Sequence, residues 1–107
     1  MPQRRRRGRG RGRRWITGLP ESSYFQPRGV DPAELNTVTL TLVDLEAIRL
    51  VDLLGLTQEE AAAQMGVSRK TFWNDLKSAR KKVAMALTRG FALRIEGGNY
   101  ILRGEVR

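Results

Sequence analysis

The sequence predicts a mainly α-helical protein: a tri-helical helix-turn-helix domain with a disordered basic N-terminal tail and a C-terminal β-hairpin. Three observations carry that expectation. Two helix starts, Thr57 and Ser68, flank one tight turn at Gly66. The stretch from Ser68 to Thr88 contains no Pro or Gly and closes with Arg89-Gly90, a basic last turn followed by a helix-ending glycine. Charge is sharply segregated along the chain rather than mixed, as it would be on an ordinary solvated surface.

Residues 1–14 hold eight arginines and no acid. Like charges repel and glycine is flexible, so a disordered tail is expected. Arg4, Arg5, Arg6, Arg7, Arg9, Arg11, Arg13 and Arg14 are its polyanion contacts, lying along phosphates or reaching into a minor groove. Such a run does not distinguish DNA from RNA. Residues 15–40 read as an extended loop and a short helix packing on the domain. Pro20, Pro27, Gly29 and Pro32 punctuate it, and Tyr24 and Phe25 are expected to pin it down. Asp31-Pro32-Ala33-Glu34 is a helix start, with Asp as cap and Pro at the first helical position. Val38, Leu40 and Leu42 alternate with threonines, the pattern of a short extended segment.

Residues 41–90 form the helix-turn-helix domain. Thr41 caps the first helix with Asp44 at its third position; Leu42, Leu45, Ile48, Leu50, Val51, Leu53 and Leu54 are the expected buried set, and Gly55 ends it. Asp44, Glu46 and Arg49 read as the solvated side of that helix rather than as a carboxylate site. In the second helix Thr57 and Glu60 form a capping box, Ala61, Ala62 and Met65 an apolar face, and Gly66 the left-handed stop. The small alanines let the next helix cross closely, while Val67 plugs the turn.

The third helix starts at Ser68 and runs roughly 30 Å at 1.5 Å per residue. Advancing about 100° per residue, Leu76, Ala79, Val83 and Leu87 fall beside Phe72 as one buried stripe. Arg69, Lys70, Trp73, Asn74, Lys77, Arg80 and Lys81 share a different arc. Residues 91–107 read as a hairpin around Gly97-Gly98, pairing Glu96 with Asn99, Ile95 with Tyr100, Arg94 with Ile101 and Leu93 with Leu102. Packing or dimerisation is its expected role; a wing with Arg94 and Arg103 against DNA is the alternative.

The segment charges sharpen the argument: residues 1–14 carry +8, residues 15–68 carry −6, and residues 69–94 carry +7, within a total of +9. The positive pole of the body lies on the third helix, as phosphate attraction requires. The 107 residues contain neither cysteine nor histidine. The commonest metal ligands, the cysteine nucleophile and the commonest general base are therefore missing, so no metal, cofactor or catalysis is expected. No apolar run approaches 18 residues and no signal-peptide pattern follows the arginines, so the expectation is a cytoplasmic protein without a membrane partner. A core this small makes a homodimer unsurprising.

The blocks Thr41-Leu-Val-Asp-Leu-Glu-Ala-Ile-Arg-Leu, Gly55-Leu-Thr-Gln-Glu-Glu-Ala-Ala, Met65-Gly-Val-Ser-Arg, Thr71-Phe72, Ser78-Ala-Arg-Lys-Lys-Val-Ala and Ala92-Leu-Arg-Ile-Glu-Gly-Gly resemble the domain-of-unknown-function 134 family, small prokaryotic proteins. The likeness runs from about Leu19 to Gly98. The middle region is also similar to region four of sigma-70-type sigma factors. The resemblance implies a helix-turn-helix DNA-binding protein that regulates transcription, with no known ligand or operator. This chain has Trp15-Ile16-Thr17-Gly18 where family members often carry cysteines, and Trp73-Asn74-Asp75 where small and basic residues are more common.

The function expected is therefore sequence-specific binding of double-stranded DNA, with the helix from Ser68 in the major groove. Arg69, Lys70, Trp73, Asn74 and Lys77 are the candidates for base edges: Asn74 with adenine, Lys77 with guanine, Trp73 against a thymine methyl or else packed on the Tyr24–Phe25 loop. Thr57, Gln58, Ser68, Thr71, Arg80, Lys81 and Lys82 are the candidates for phosphates. The competing readings are an RNA-binding protein using the tail and a protein-interaction module docking on the transcription machinery.

Overall fold

The structure is a computed structural model that describes residues 13–103. The tail arginines Arg4, Arg5, Arg6, Arg7, Arg9 and Arg11, and the last residues of the expected hairpin segment, lie outside the described residues. In chain order the elements are β1 (Arg14–Ile16), β2 (Tyr24–Phe25), a 3-10 turn (Pro32–Glu34), β3 (Thr37–Leu40), α1 (Leu42–Ile48) continuing into a π-helical turn (Arg49–Leu53), α2 (Gln58–Met65), α3 (Arg69–Arg89), β4 (Ala92–Ile95) and β5 (Tyr100–Leu102). The expected mainly α fold with three helices is present.

Every helix start read from the sequence is capped as its side chains dictate. The Thr41 hydroxyl accepts from the Asp44 amide at 3.0 Å while Asp44 Oδ2 accepts from the Thr41 amide at 3.1 Å. Thr57 and Glu60 repeat that box at α2, and Ser68 accepts from the Thr71 amide at α3. Each satisfies amides that have no partner inside the helix. Asp31 caps the short 3-10 turn with Pro32 at its first position.

The core lies where the three helices meet. Phe72, Leu76 and Ala79 of α3 are fully buried in one cluster with Ala61, Ala62 and Met65 of α2, Ala47 of α1 and Leu50 of the π turn. Ile16, Leu40 and Ile95 close its far side from the strands. Alanine at the crossing lets α2 and α3 approach closely, which puts the outer side of α3 at the surface. The stripe ends earlier than its periodicity suggests. Leu87 is 76 % exposed while Ala86 beside it is 3 % exposed: in the last turns the buried side of α3 runs through Ala86 and leaves Leu87 outside.

Three further expectations are corrected. Leu53 and Leu54 are not core residues but 74 % and 52 % exposed. The π turn shifts the ladder, with the Leu54 amide donating to the Arg49 carbonyl at 2.9 Å, so that Leu50 stays buried and Val51 half-buried against the core. Asp44 and Glu46 are buried rather than solvated. Each has cationic partners that make burial affordable: Lys82 Nζ donates to Asp44 Oδ2 at 2.6 Å, and Arg49 donates to both Glu46 oxygens at 2.9 and 3.0 Å.

The third correction concerns the C-terminal strands. Both exist, but they do not pair with each other. β4 is the centre of a three-stranded sheet in the order β2-β4-β3, antiparallel to β2 and parallel to β3. A strand has two edges, and both edges of β4 are taken. β5 pairs instead with β1 in parallel, Trp15 opposite Ile101 and Ile16 opposite Leu102. Gly97 and Gly98 both have positive φ, but they carry the chain past the start of α1, where the Leu42 amide donates to the Gly97 carbonyl at 3.0 Å. Tyr24 and Phe25 hold their loop through the backbone ladder with β4 while their rings stay exposed.

Candidate nucleic-acid interface

The cations of α3 divide into those paired with carboxylates and those without an ion pair among the described residues. Arg80 is exposed, on the same arc of α3 as Arg69 and Trp73, and pairs with Asp52 of the π turn, Nη2 to Oδ1 at 2.7 Å and Nε to Oδ2 at 3.2 Å. Hydrogen bonding from Arg80 holds the Asp52 carboxyl below its ordinary value. Lys82, on the other flank, is tied to Asp44. These two expected phosphate contacts are thus engaged with carboxylates of the π turn and of α1. Arg69, Lys70, Lys77 and Lys81 make no ion pair with the described residues, and all but Lys77, which stacks on an indole, stand without a polar partner there.

Trp73 sits among them, 38 % exposed, with Lys77 Nζ 5.7 Å from its ring centroid. Among the described residues no ring contact joins it to the Tyr24–Phe25 loop; Tyr24 lies under Arg94, with the guanidinium carbon 5.7 Å from the ring. Gln58, at the first turn of α2, joins Arg69, Lys70 and Trp73 around a groove of about 570 Å³. Asn74 is exposed one residue further along α3. The structure therefore gathers Arg69, Lys70, Trp73, Asn74, Lys77 and Lys81 on one face. The Thr57 and Ser68 hydroxyls accept from the amides of their own helices, and Thr71 Oγ1 is 3.1 Å from Ser68 Oγ.

Two supports for this face were not legible in the sequence. Arg14, counted there with the tail, belongs to β1. Its Nε donates to Asp75 Oδ2 at 3.1 Å and its Nη2 to Oδ1 at 3.3 Å. Asp75 is the lone acid of α3, and this pair neutralises it. The second support braces the turn between α2 and α3. Trp15 packs over Gly66, where a Cβ would come within 2.9 Å of the Trp15 ring. Arg103 covers the other part of the indole at 5.6 Å and donates from Nη2 to the Gln64 carbonyl at 2.7 Å. Arg94 and Arg103 are thus both stacked on aromatic rings. Local pattern reading cannot find contacts that join residues 15, 66 and 103.

Away from this face, Thr17, Glu46 and Arg49 form a closed network. The Thr17 amide and hydroxyl both donate to Glu46 Oε2, at 3.2 and 2.9 Å, and Arg49 Nη2 reaches the Thr17 oxygen at 2.8 Å. Burial pushes the Glu46 carboxyl up, but the bonds from Arg49 and Thr17 outweigh it and hold the group below its ordinary value. Beside it a trough of about 460 Å³ is walled by Leu19, Pro20, Leu45, Ile48 and Leu53. Among the described residues no cluster of acidic or other ligating side chains could hold a metal ion, and no helix is long and apolar enough to cross a membrane.

Fold and surface together define a small helix-turn-helix protein whose long third helix carries an exposed cationic face. The chain belongs to the DUF134 family, described as a protein of unknown function, which matches residues 2–103. A UPF0251 protein of Methanosarcina acetivorans is 54 % identical over 95 residues, covering 89 % of this chain and 85 % of the relative. A UPF0251 protein of Caldanaerobacter subterraneus subsp. tengcongensis is 52 % identical over 92 residues, 86 % of this chain and 78 % of the relative. One from Methanocella arvoryzae is 51 % identical over 92 residues, and there the match spans only 55 % of the longer relative. No solved structure matches the chain.

Proposed function

We propose that this protein is a sequence-specific double-stranded DNA-binding protein, a transcriptional regulator without catalysis, that lays α3 in the major groove. The observation that carries the reading is the division of cations on α3. Arg80 and Lys82 are paired with carboxylates, whereas Arg69, Lys70, Lys77 and Lys81 are exposed and make no ion pair among the described residues. A cationic rod of helical width, backed by a rigid support, is complementary to a groove about 12 Å wide between phosphate rails.

In this reading Arg69, Lys70, Asn74 and Lys77 address base edges, Asn74 bidentately to adenine and Lys77 to guanine, while Gln58 and Lys81 meet phosphates. The arrangement is compared to region four of sigma-70-type factors. Because Arg14 is clamped to Asp75, the arginine-rich segment is joined to the domain beside α3, so both can address one duplex. A second copy bound as a homodimer would read a palindromic site, and the cytoplasm is the compartment that holds its target.

Selection from a random duplex pool tests the reading. A defined motif should emerge, and Asn74→Ala should cost about 1–3 kcal/mol on the selected duplex and little on random DNA. Absence of enrichment, or preference for structured RNA in direct competition, would contradict it. Equal losses on both DNAs would remove Asn74 from base recognition.

A further inference from the structure

We propose that Trp73 senses pyrimidine 5-methyl groups in the major groove. The inference rests on the DNA-binding reading and names what one residue of that surface recognises. Its neighbour Phe72 is fully buried and fills the core, whereas Trp73 is 38 % exposed. Among the described residues it is the one aromatic ring on the cationic face, and no ring contact joins it to Tyr24 or Phe25. The exposed part of the indole, set between cations, offers apolar area that a partner can cover.

The ring is held rather than loose. Lys77, one turn along α3, stacks on it at 5.7 Å, which restricts its orientation, and the ring shares a groove with Gln58, Arg69 and Lys70. Those three neighbours offer hydrogen bonds or charge, suited to phosphates and to polar base edges. The indole offers chiefly apolar area and a single N–H donor. In the major groove the base edges present donors, acceptors and only one apolar group, the C5 methyl of thymine. A 5-methylcytosine carries the same methyl at the same depth. The chemistry recognised is therefore a methyl on pyrimidine C5, and the two bases are its two sources.

The test uses the full chain and the duplex it enriches from a random pool. That duplex is resynthesised with deoxyuridine at each thymidine in turn, which removes only the methyl, and separately with 5-methylcytosine at each cytosine. Wild type should lose about three- to tenfold at one or two thymidine positions, or gain as much at a methylated cytosine. The responding arm identifies the source. Trp73→Ala should bind the paired duplexes equally. The wild-type response needs no variant, and the exposed site makes misfolding of Trp73→Ala easy to detect by thermal melting. Indifference of wild type to both substitutions overturns the proposal alone, as does a Trp73→Ala protein that keeps the methyl response. Retention of no duplex from the pool overturns the DNA reading and the proposal with it.

Discussion

Arg14 and Asp75 are joined by two hydrogen bonds, 3.1 and 3.3 Å, across 61 positions of sequence. The pair docks β1 on α3 and cancels the lone negative charge of that helix. Arg14→Ala should therefore weaken duplex binding several-fold, because it exposes a carboxylate beside the phosphates. Adding Asp75→Asn to Arg14→Ala should restore much of the affinity. Fluorescence anisotropy with a labelled duplex reads both; an unrescued double variant would assign the pair a purely structural role.

The turn between α2 and α3 is held by one glycine for two reasons. Gly66 has φ of 72°, and Trp15 leaves no room for a methyl. Gly66→Ala should destabilise the fold by about 1–3 kcal/mol in denaturant melts. In a Trp15→Ala background the same change should cost less, since only the backbone strain remains. Equal costs in the two backgrounds would show that Trp15 does not press on the turn.

Acid stability should depend on Glu46. Its carboxyl lies below its ordinary value in the folded protein, so the unfolded chain binds its proton more readily. The resulting stabilisation is complete above the ordinary carboxylate range and is lost as pH falls through the lowered folded value. Glu46→Gln should lower stability at neutral pH by about 1–3 kcal/mol, with a smaller difference from wild type at strongly acidic pH. Melting curves across pH check this; a gap that widens toward acid would contradict the network's role.

The packing of α3 makes a contrast that one melt series can test. Phe72→Ala should cost about 3–5 kcal/mol, because Phe72 is fully enclosed among Ala61, Met65 and Leu50 and their neighbours in the core. Leu87→Ser should change stability by no more than about 0.5 kcal/mol. A large loss at Leu87 would mean that another surface covers the end of α3.

The local grammar of this chain was readable and its long-range contacts were not. Caps at Thr41, Thr57 and Ser68 depend on residues three positions apart, and the stops at Gly66 and Gly90 on one residue each, so the helices and their turn were legible. The outer face of α3 followed from periodicity once Phe72, Leu76 and Ala79 were taken as core. The hairpin was misread because Gly97-Gly98 satisfies the local turn pattern while the strand edges are decided by β2 and β3, far away in sequence. The same holds for charge. Counting placed Arg14 with the tail and Arg80 and Lys82 with the free cations, but their partners Asp75, Asp52 and Asp44 are contacts made only by folding.

The arginine-rich segment and α3 should contribute differently to binding. Deleting residues 1–12 and keeping Arg14 should reduce the slope of log affinity against log salt while preserving the preferred sequence. An unchanged slope would remove the segment from the phosphate contacts.

The central claim is that the outward face of α3 is the nucleic-acid surface. The most direct measurement compares two charge-reversed proteins of equal net charge on the same duplex: Lys70→Glu with Lys77→Glu on that face, and Arg28→Glu with Arg94→Glu off it. The first pair is expected to abolish retention and the second to leave most of it. Equal losses from the two pairs would show general electrostatic attraction without a reading face, and intact binding by the first pair would contradict the account outright.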